Sequence, residues 1–161
     1  MAYNYFETDY AIRIHDKIIE ISGGSPGIKD FGNIDSPLTH IQNDDYYPEF
    51  EDKITHLIFS FNKFHAFNDG NKRTSIALGA FFLEINGLGG FVDKFIIEME
   101  NIAVTVADNI IDKELLQEIV AAIINEPDYS EALKLKIVAA LLQVDHKKET
   151  LNLGKGFYKD L

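Results

Sequence analysis

Two apolar helix signatures, separated by a short break, constrain this chain more than any other feature. The first follows Pro48, which suits the opening turn of a long helix. Ile54, Leu57, Ile58, Phe61 and Phe64 then recur at i, i+3, i+4, i+7 and i+10, forming one continuous stripe that should be buried. The stripe runs straight into His65. A break follows over 66–71, and a second apolar segment runs from about Asn71 to Ile85, where Asn86-Gly87 provides a C-terminal stop. So short a connection makes the two helices neighbours and holds the break at their junction.

The rest of the chain reads as helices of similar length. Residues 9–22 carry Ala11, Ile14, Ile18 and Ile21 on one face, with Asp9 as N-cap, and Ser22-Gly23-Gly24-Ser25-Pro26-Gly27 ends them. Residues 28–47 are polar and turn-rich, which predicts short helical turns on a loop scaffold. Phe91-Val92-Asp93 predicts a short extended piece. Helices are expected over 95–109 (Ile96, Met99, Ala103, Val106), 112–125 (Asp112 cap; Leu115, Leu116, Ile119, Ile123, Ile124) and 129–145 (Leu133, Ile137, Ala140, Leu141, Val144). Pro127 separates the last two. The tail from His146 is charged and is expected to be loose. The sum is an all-α bundle with a long polar region near its N-terminus.

Composition narrows the function classes. A chain of 161 residues suits one domain. Its net charge of −11 makes it a poor partner for nucleic acid, because neutralised phosphates supply most of that affinity. With no cysteine, neither disulfides nor thiolate metal sites arise. No apolar run approaches the roughly 18–20 residues that cross a bilayer, and the first residues lack signal-peptide character. The expectation is a soluble cytoplasmic protein without membrane or nucleic-acid partners.

The break itself carries chemistry. A helix that begins near Asn71 presents unpaired N–H groups and a partial positive charge, a natural anion site. Gly70 permits close backbone approach. Lys72 and Arg73 are electrostatically misplaced at a helix start unless an anion sits with them. Asp69 offers the hard oxygen that Mg²⁺ on a polyphosphate takes. His65 suits a general base near neutral pH. Phe67, among polar neighbours, reads as the peg that anchors the loop. A base, a metal ligand, an anion nest and two cations within a few residues are the parts of a phosphoryl or nucleotidyl transferase.

The segment His65-Ala66-Phe67-Asn68-Asp69-Gly70-Asn71-Lys72-Arg73-Thr74-Ser75-Ile76 resembles the Fic family pattern His-x-Phe-x-(Asp/Glu)-Gly-Asn-Gly-Arg-x-x-Arg. Its Lys72 is similar to the Doc (death-on-curing) branch. Ile14-His15-Asp16, Gly23 to Asp30, and Phe82-Leu83-Glu84-Ile85-Asn86-Gly87 resemble the same branch, so the likeness spans roughly 10–125. It implies a Fic/Doc-like helical bundle with the active-site loop between two central helices. Residues 1–125 would be the catalytic domain, and 126–161 a C-terminal helical extension and tail of the same bundle. It also implies roles: His65 the general base, Asp69 the Mg²⁺ ligand, Gly70, Asn71 and Lys72 the phosphate nest, with Asn71 helping through its side chain, Arg73 the phosphate-binding arginine and Phe67 the loop anchor. Asn68 joins the nucleotide-side set, within reach of the metal or the loop backbone.

Two departures redirect the chemistry. Lys72 stands where AMP-transferring relatives have Gly, and Ile76 stands in place of their second, γ-phosphate-gripping Arg. The resemblance to Doc then implies a reversed ATP, with the γ-phosphate in the nest and phosphate itself moved to a protein hydroxyl. Its precedent is elongation factor Tu, with arrest of translation. AMP transfer and a non-catalytic Fic-like scaffold are the alternatives. The inhibitory pattern (Ser/Thr)-x-x-x-Glu-(Gly/Asn) of many Fic proteins is absent: Glu100-Asn101 is preceded by Ile96. A brake acting in trans, a Phd-type antitoxin, is the implied partner. Of the remaining polar residues, His15 and Asp16 read as structural, His56 as a surface or interface residue, Lys63 as a group within reach of a phosphate or the target, and Glu51 and Asp52 as part of a solvated face, or else of a flap that contacts the substrate.

Overall fold

The computed structural model describes residues 2–143. In chain order these form α1 (Thr8–Ser22), α2 (Gly32–His40), α3 (Phe50–Lys63), α4 (Asn71–Ile85), α5 (Val92–Ala107) and α6 (Lys113–Asn125). A further helix, α7, runs over 131–143. Among the described residues the fold is all-α apart from an isolated bridge between Ile28 and Phe67. The loop between α3 and α4 is the expected junction of two central helices.

α3 is the axis of the bundle. It touches α4, α6, α2 and α5, so it is buried all round rather than along one stripe. Ile54, Leu57, Ile58 and Phe61 are fully buried as expected, but so are the polar Lys53, Thr55 and Ser60. Phe64, at the end of the stripe, is 49% exposed because the helix has already ended. Each buried charge or amide needs a partner. The Lys53 ammonium donates to the Ile41 carbonyl (2.7 Å) and to Asp44 (2.6 Å). Asn62 donates to the Ala103 carbonyl (2.8 Å) and so binds α3 to α5.

Helix ends follow their signals unevenly. Asp112 caps α6 as expected, accepting from the Leu115 N–H at 2.8 Å. α4 opens and closes where expected, at Asn71 and Ile85. Asp9 is not a cap: α1 starts at Thr8 after Glu7. Pro48 lies before the α3 cap, Glu49, whose N–H donates to Asp52 (3.0 Å). Residues 32–40 form a full helix around Pro37 rather than short turns. Phe91-Val92-Asp93 is helical, not extended, because a 3₁₀ turn over Gly89–Phe91 runs directly into α5. α1 buries Ala11 and His15, while Ile21 is 74% exposed. Glu51 and Asp52 are tied to α6 through Asn125 and Gln117 rather than simply solvated. α7 buries Leu133, whereas Leu141 is exposed. Val144 and the tail from His146 lie outside the described residues.

His56, expected at a surface or interface, is instead inside the bundle; it is 8% exposed between α2 and α6. Its Nδ1 faces the Lys113 ammonium at 2.8 Å and the Tyr47 hydroxyl at 3.2 Å. Burial, then the positive charge of Lys113 and the neighbouring His40, lowers its pKa from 6.5 to about 4. Below pH 6.5 the unfolded chain therefore binds a proton that the native state refuses. The contribution of His56 to native stability falls as pH drops from 6.5 towards about 4 and levels off below. In His56→Gln, thermal melts across that window should show a shallower loss than in the parent. An unchanged slope would remove His56 as a cause of acid lability.

Candidate active site

α3 ends at Lys63, and His65 takes a left-handed conformation (φ 50°) that turns the chain out of the helix. Its ring is exposed, whereas the next two residues, Ala66 and Phe67, are fully buried. The loop is not self-supporting. Residues 25–30 lie alongside it: the N–H groups of Lys29 and Asp30 donate to the Ala66 carbonyl (2.9 and 3.1 Å). The Asn68 N–H donates to the Gly27 carbonyl (3.0 Å). The Asn68 amide also donates to the Pro26 carbonyl (3.1 Å).

Asn71 closes the loop from inside. Its Oδ1 accepts from the Phe67 N–H (3.0 Å) and its Nδ2 donates to the Phe67 carbonyl (2.9 Å). Both ends of that amide are therefore engaged with the loop backbone, so the Asn71 side chain is not left to help bind an anion as expected. Gly70, left-handed at φ 77°, is the N-cap of α4. The first intrahelical bond there is Thr74 N–H to Gly70 carbonyl (2.9 Å). Helix geometry leaves the N–H groups of Asn71, Lys72 and Arg73 without intrahelical acceptors.

Asp69 sits at the mouth of this helix. One carboxylate oxygen accepts from the Ser25 N–H (3.0 Å), the other from the Gly70 N–H (2.8 Å). These two bonds, with Arg73 nearby, hold its carboxyl below the ordinary range. Gly24 makes the approach possible: at φ 119° it comes so close that a Cβ there would lie 2.7 Å from Asp69 Oδ2 and 3.0 Å from Arg73 Nη2. The Arg73 guanidinium donates to the Gly23 carbonyl (2.9 Å) and to the Ser22 hydroxyl. It thus sits at the C-terminal end of α1, the negative end of that helix.

These groups surround one cavity of about 450 Å³. His65, Asn68, Asp69, Gly70, Asn71, Lys72 and Arg73 all line it. Phe67 does not; it is fully buried beneath, its ring stacked on His15. The opposite wall comes from Asn62, Lys63, Ala107 and Asn109, of which only Lys63 stands out in the sequence. Lys63 donates to the Asn109 side chain, and Asn109 is left-handed (φ 60°) just past α5. An Asn shortly after a helical run is the one local signal of that turn. Ile76 is packed against the core instead of lining the cavity.

The donor set fits Mg²⁺ on a polyphosphate. Asp69 has two oxygens with about four lone-pair directions, of which two are engaged here. Mg²⁺ is ordinarily held by one or two carboxylates plus phosphate oxygens. Lys63, Lys72 and Arg73 around the same cavity favour the accompanying anion, in a chain that is otherwise strongly acidic.

Comparisons with known proteins match the part of the chain that carries this loop. The sequence model of the Fic/DOC family matches residues 5–83. Toxin Doc of Mycolicibacterium smegmatis is 39% identical over 70 residues, 41% of this chain and 54% of that protein. Protein kinase doc of Escherichia phage P1 is 36% identical over 84 residues, 50% of this chain and 66% of that protein. The chain thus spans about half to just under two-thirds of these relatives. The matched stretch carries α1 to α4 and with them the loop.

Proposed function

Since the chain belongs to the Fic/DOC family, we propose that it moves the γ-phosphate of ATP to a hydroxyl side chain of a target protein. The observation that carries the reading is the seating of exposed His65 beside the cation-bearing N-terminus of α4, with Ile76 turned away from the cavity. His65 stands where a macromolecular hydroxyl can reach it. Its imidazole takes the hydroxyl proton as the oxygen bonds to the γ-phosphorus. The bond from that phosphorus to the bridging oxygen breaks, and ADP leaves with the electron pair. The α4 N–H groups, Lys72 and Arg73 stabilise the charge on the transferring group. Mg²⁺, held by Asp69 and phosphate oxygens, supplies further charge neutralisation when bound.

Ile76 also argues against AMP transfer, which in this family uses an arginine at that place to grip the outer phosphate. The name of the phage relative, a protein kinase, points the same way. By the same likeness the first target to test is elongation factor Tu, the expected consequence is arrest of translation, and the expected partner is a Phd-type antitoxin in the cytoplasm. The experiment is incubation with ATP labelled at either the α- or the γ-phosphate, with elongation factor Tu and with cell lysate. Label should reach protein from the γ-position. Label retained from the α-position would convert the reading to AMP transfer. Label from neither, with folded protein, would favour a binding scaffold.

A further inference from the structure

His15, which the sequence marks as structural, lies in α1 and is fully buried. Its ring stacks face to face on Phe67, centroids 3.7 Å apart and planes 4° from parallel. Its Nε2 is 2.7 Å from the main-chain oxygen of Asp69. A carbonyl oxygen only accepts, so Nε2 carries the hydrogen in this contact. Its Nδ1 is 3.1 Å from the exposed carboxylate of Asp16. A Phe would keep a flat ring against Phe67. What the imidazole adds is the N–H.

The position of that N–H has a specific consequence. The Asp69 carbonyl and the Gly70 N–H are the two polar ends of one peptide plane. The carbonyl is held by His15, and the N–H by the Asp69 carboxylate at 2.8 Å. Rotation of this plane would release the carboxylate and alter the left-handed turn at Gly70 from which α4 starts. The direction of Asp69 and the direction of the α4 N–H groups are therefore set by the same peptide, and that peptide is clamped from below by His15.

We infer that His15 is a positioning residue, which fixes the Asp69–Gly70 peptide and through it both the metal-side carboxylate and the phosphate nest. The inference rests on the proposed roles of Asp69 and the nest, but the clamp itself is testable without activity. His15→Phe keeps a flat ring on Phe67 and loses the donor; His15→Gln keeps a donor and loses the stack. Thermal melts establish that each variant folds. Amide hydrogen exchange by NMR should then show the Gly70 N–H exchanging at least about tenfold faster in His15→Phe, with His15→Gln substantially restored. In label transfer from γ-labelled ATP, His15→Phe should lower kcat by about 10²-fold, the cost of a misplacement near 1 Å, with a smaller change in KM for ATP. Gln should recover part of that loss.

Parental exchange at Gly70 in a folded His15→Phe would overturn the inference, as would a Gln variant no better than Phe in both measurements. If neither the parent nor any variant transfers label, the transferase reading fails while Gly70 exchange still decides the clamp. Should His15→Phe fail to fold, His15→Gln is compared with the parent directly: near-parental exchange and kcat sustain the clamp, and a loss of the size given for Phe overturns it.

Discussion

Replacing His65 with Asn is expected to lower label transfer by about 10²- to 10⁴-fold, the usual worth of a positioned general base, with little change in ATP binding or melting temperature. Asn is the informative substitution because position 65 is left-handed at φ 50°. Asn tolerates that region better than most residues, so loss of activity cannot be traced to a strained backbone. The ring is exposed, so its removal leaves no cavity. A folded His65→Asn that transfers at the parental rate would remove His65 from the mechanism.

Phe82→Ala is expected to have the largest effect on stability. Phe82 is fully buried and lies at the centre of an aromatic group. Its ring stacks on Phe50 at 5.0 Å and on Tyr5 at 6.0 Å, and meets Phe6 edge-on at 6.5 Å. Truncating such a ring costs about 3–5 kcal/mol through lost transfer energy and an unfilled cavity. For a chain of this size that is a fall in melting temperature of roughly 6–20 °C. None of these rings lines the cavity, so label transfer well below the melt should persist. A fall of under about 2 °C would mean that the site collapses around the deletion or that the ring contributes little.

The two predictions probe parts of the molecule that differed in how readable they were. Helix α4 was legible to the residue, because a glycine-led start and an Asn-Gly stop are local signals. α6 was legible for the same reason, through Asp112. α3 was only half legible. Periodicity marks apolar positions, and Lys53 and His56 became buried through partners on α2, on α6 and in the connection before α3, which no local pattern shows. The nine-residue α2 was hidden by Pro37 and a polar composition. The wrong face assigned at Ile21 has a similar origin: helical spacing continues past the point where the neighbouring elements stop.

At the site, the loop motif was read as one constellation, and His65 to Arg73, except Ala66 and the anchor Phe67, do line one cavity. The opposite wall was not readable, since Asn62 and Asn109 come from the ends of two helices brought together only by tertiary contacts, among them the Asn62 and Lys63 hydrogen bonds to α5 and to the turn after it. The support given by residues 25–30 was equally invisible. Pairing across some forty positions leaves no trace in composition or spacing.

That pairing also bears on when the site comes into being. Segment 25–30 meets the loop through Lys29, Asp30 and Ser25, and α1 meets it through His15 and Arg73. Such contacts close large chain loops, whose entropy must be lost before the contacts repay it. Emergence of the His65–Arg73 motif from a ribosome therefore does not by itself create a working centre. The far wall at Ala107 and Asn109 has to be synthesised as well. For the proposed transfer, competence is expected to arise together with the native bundle, once the far wall has been added.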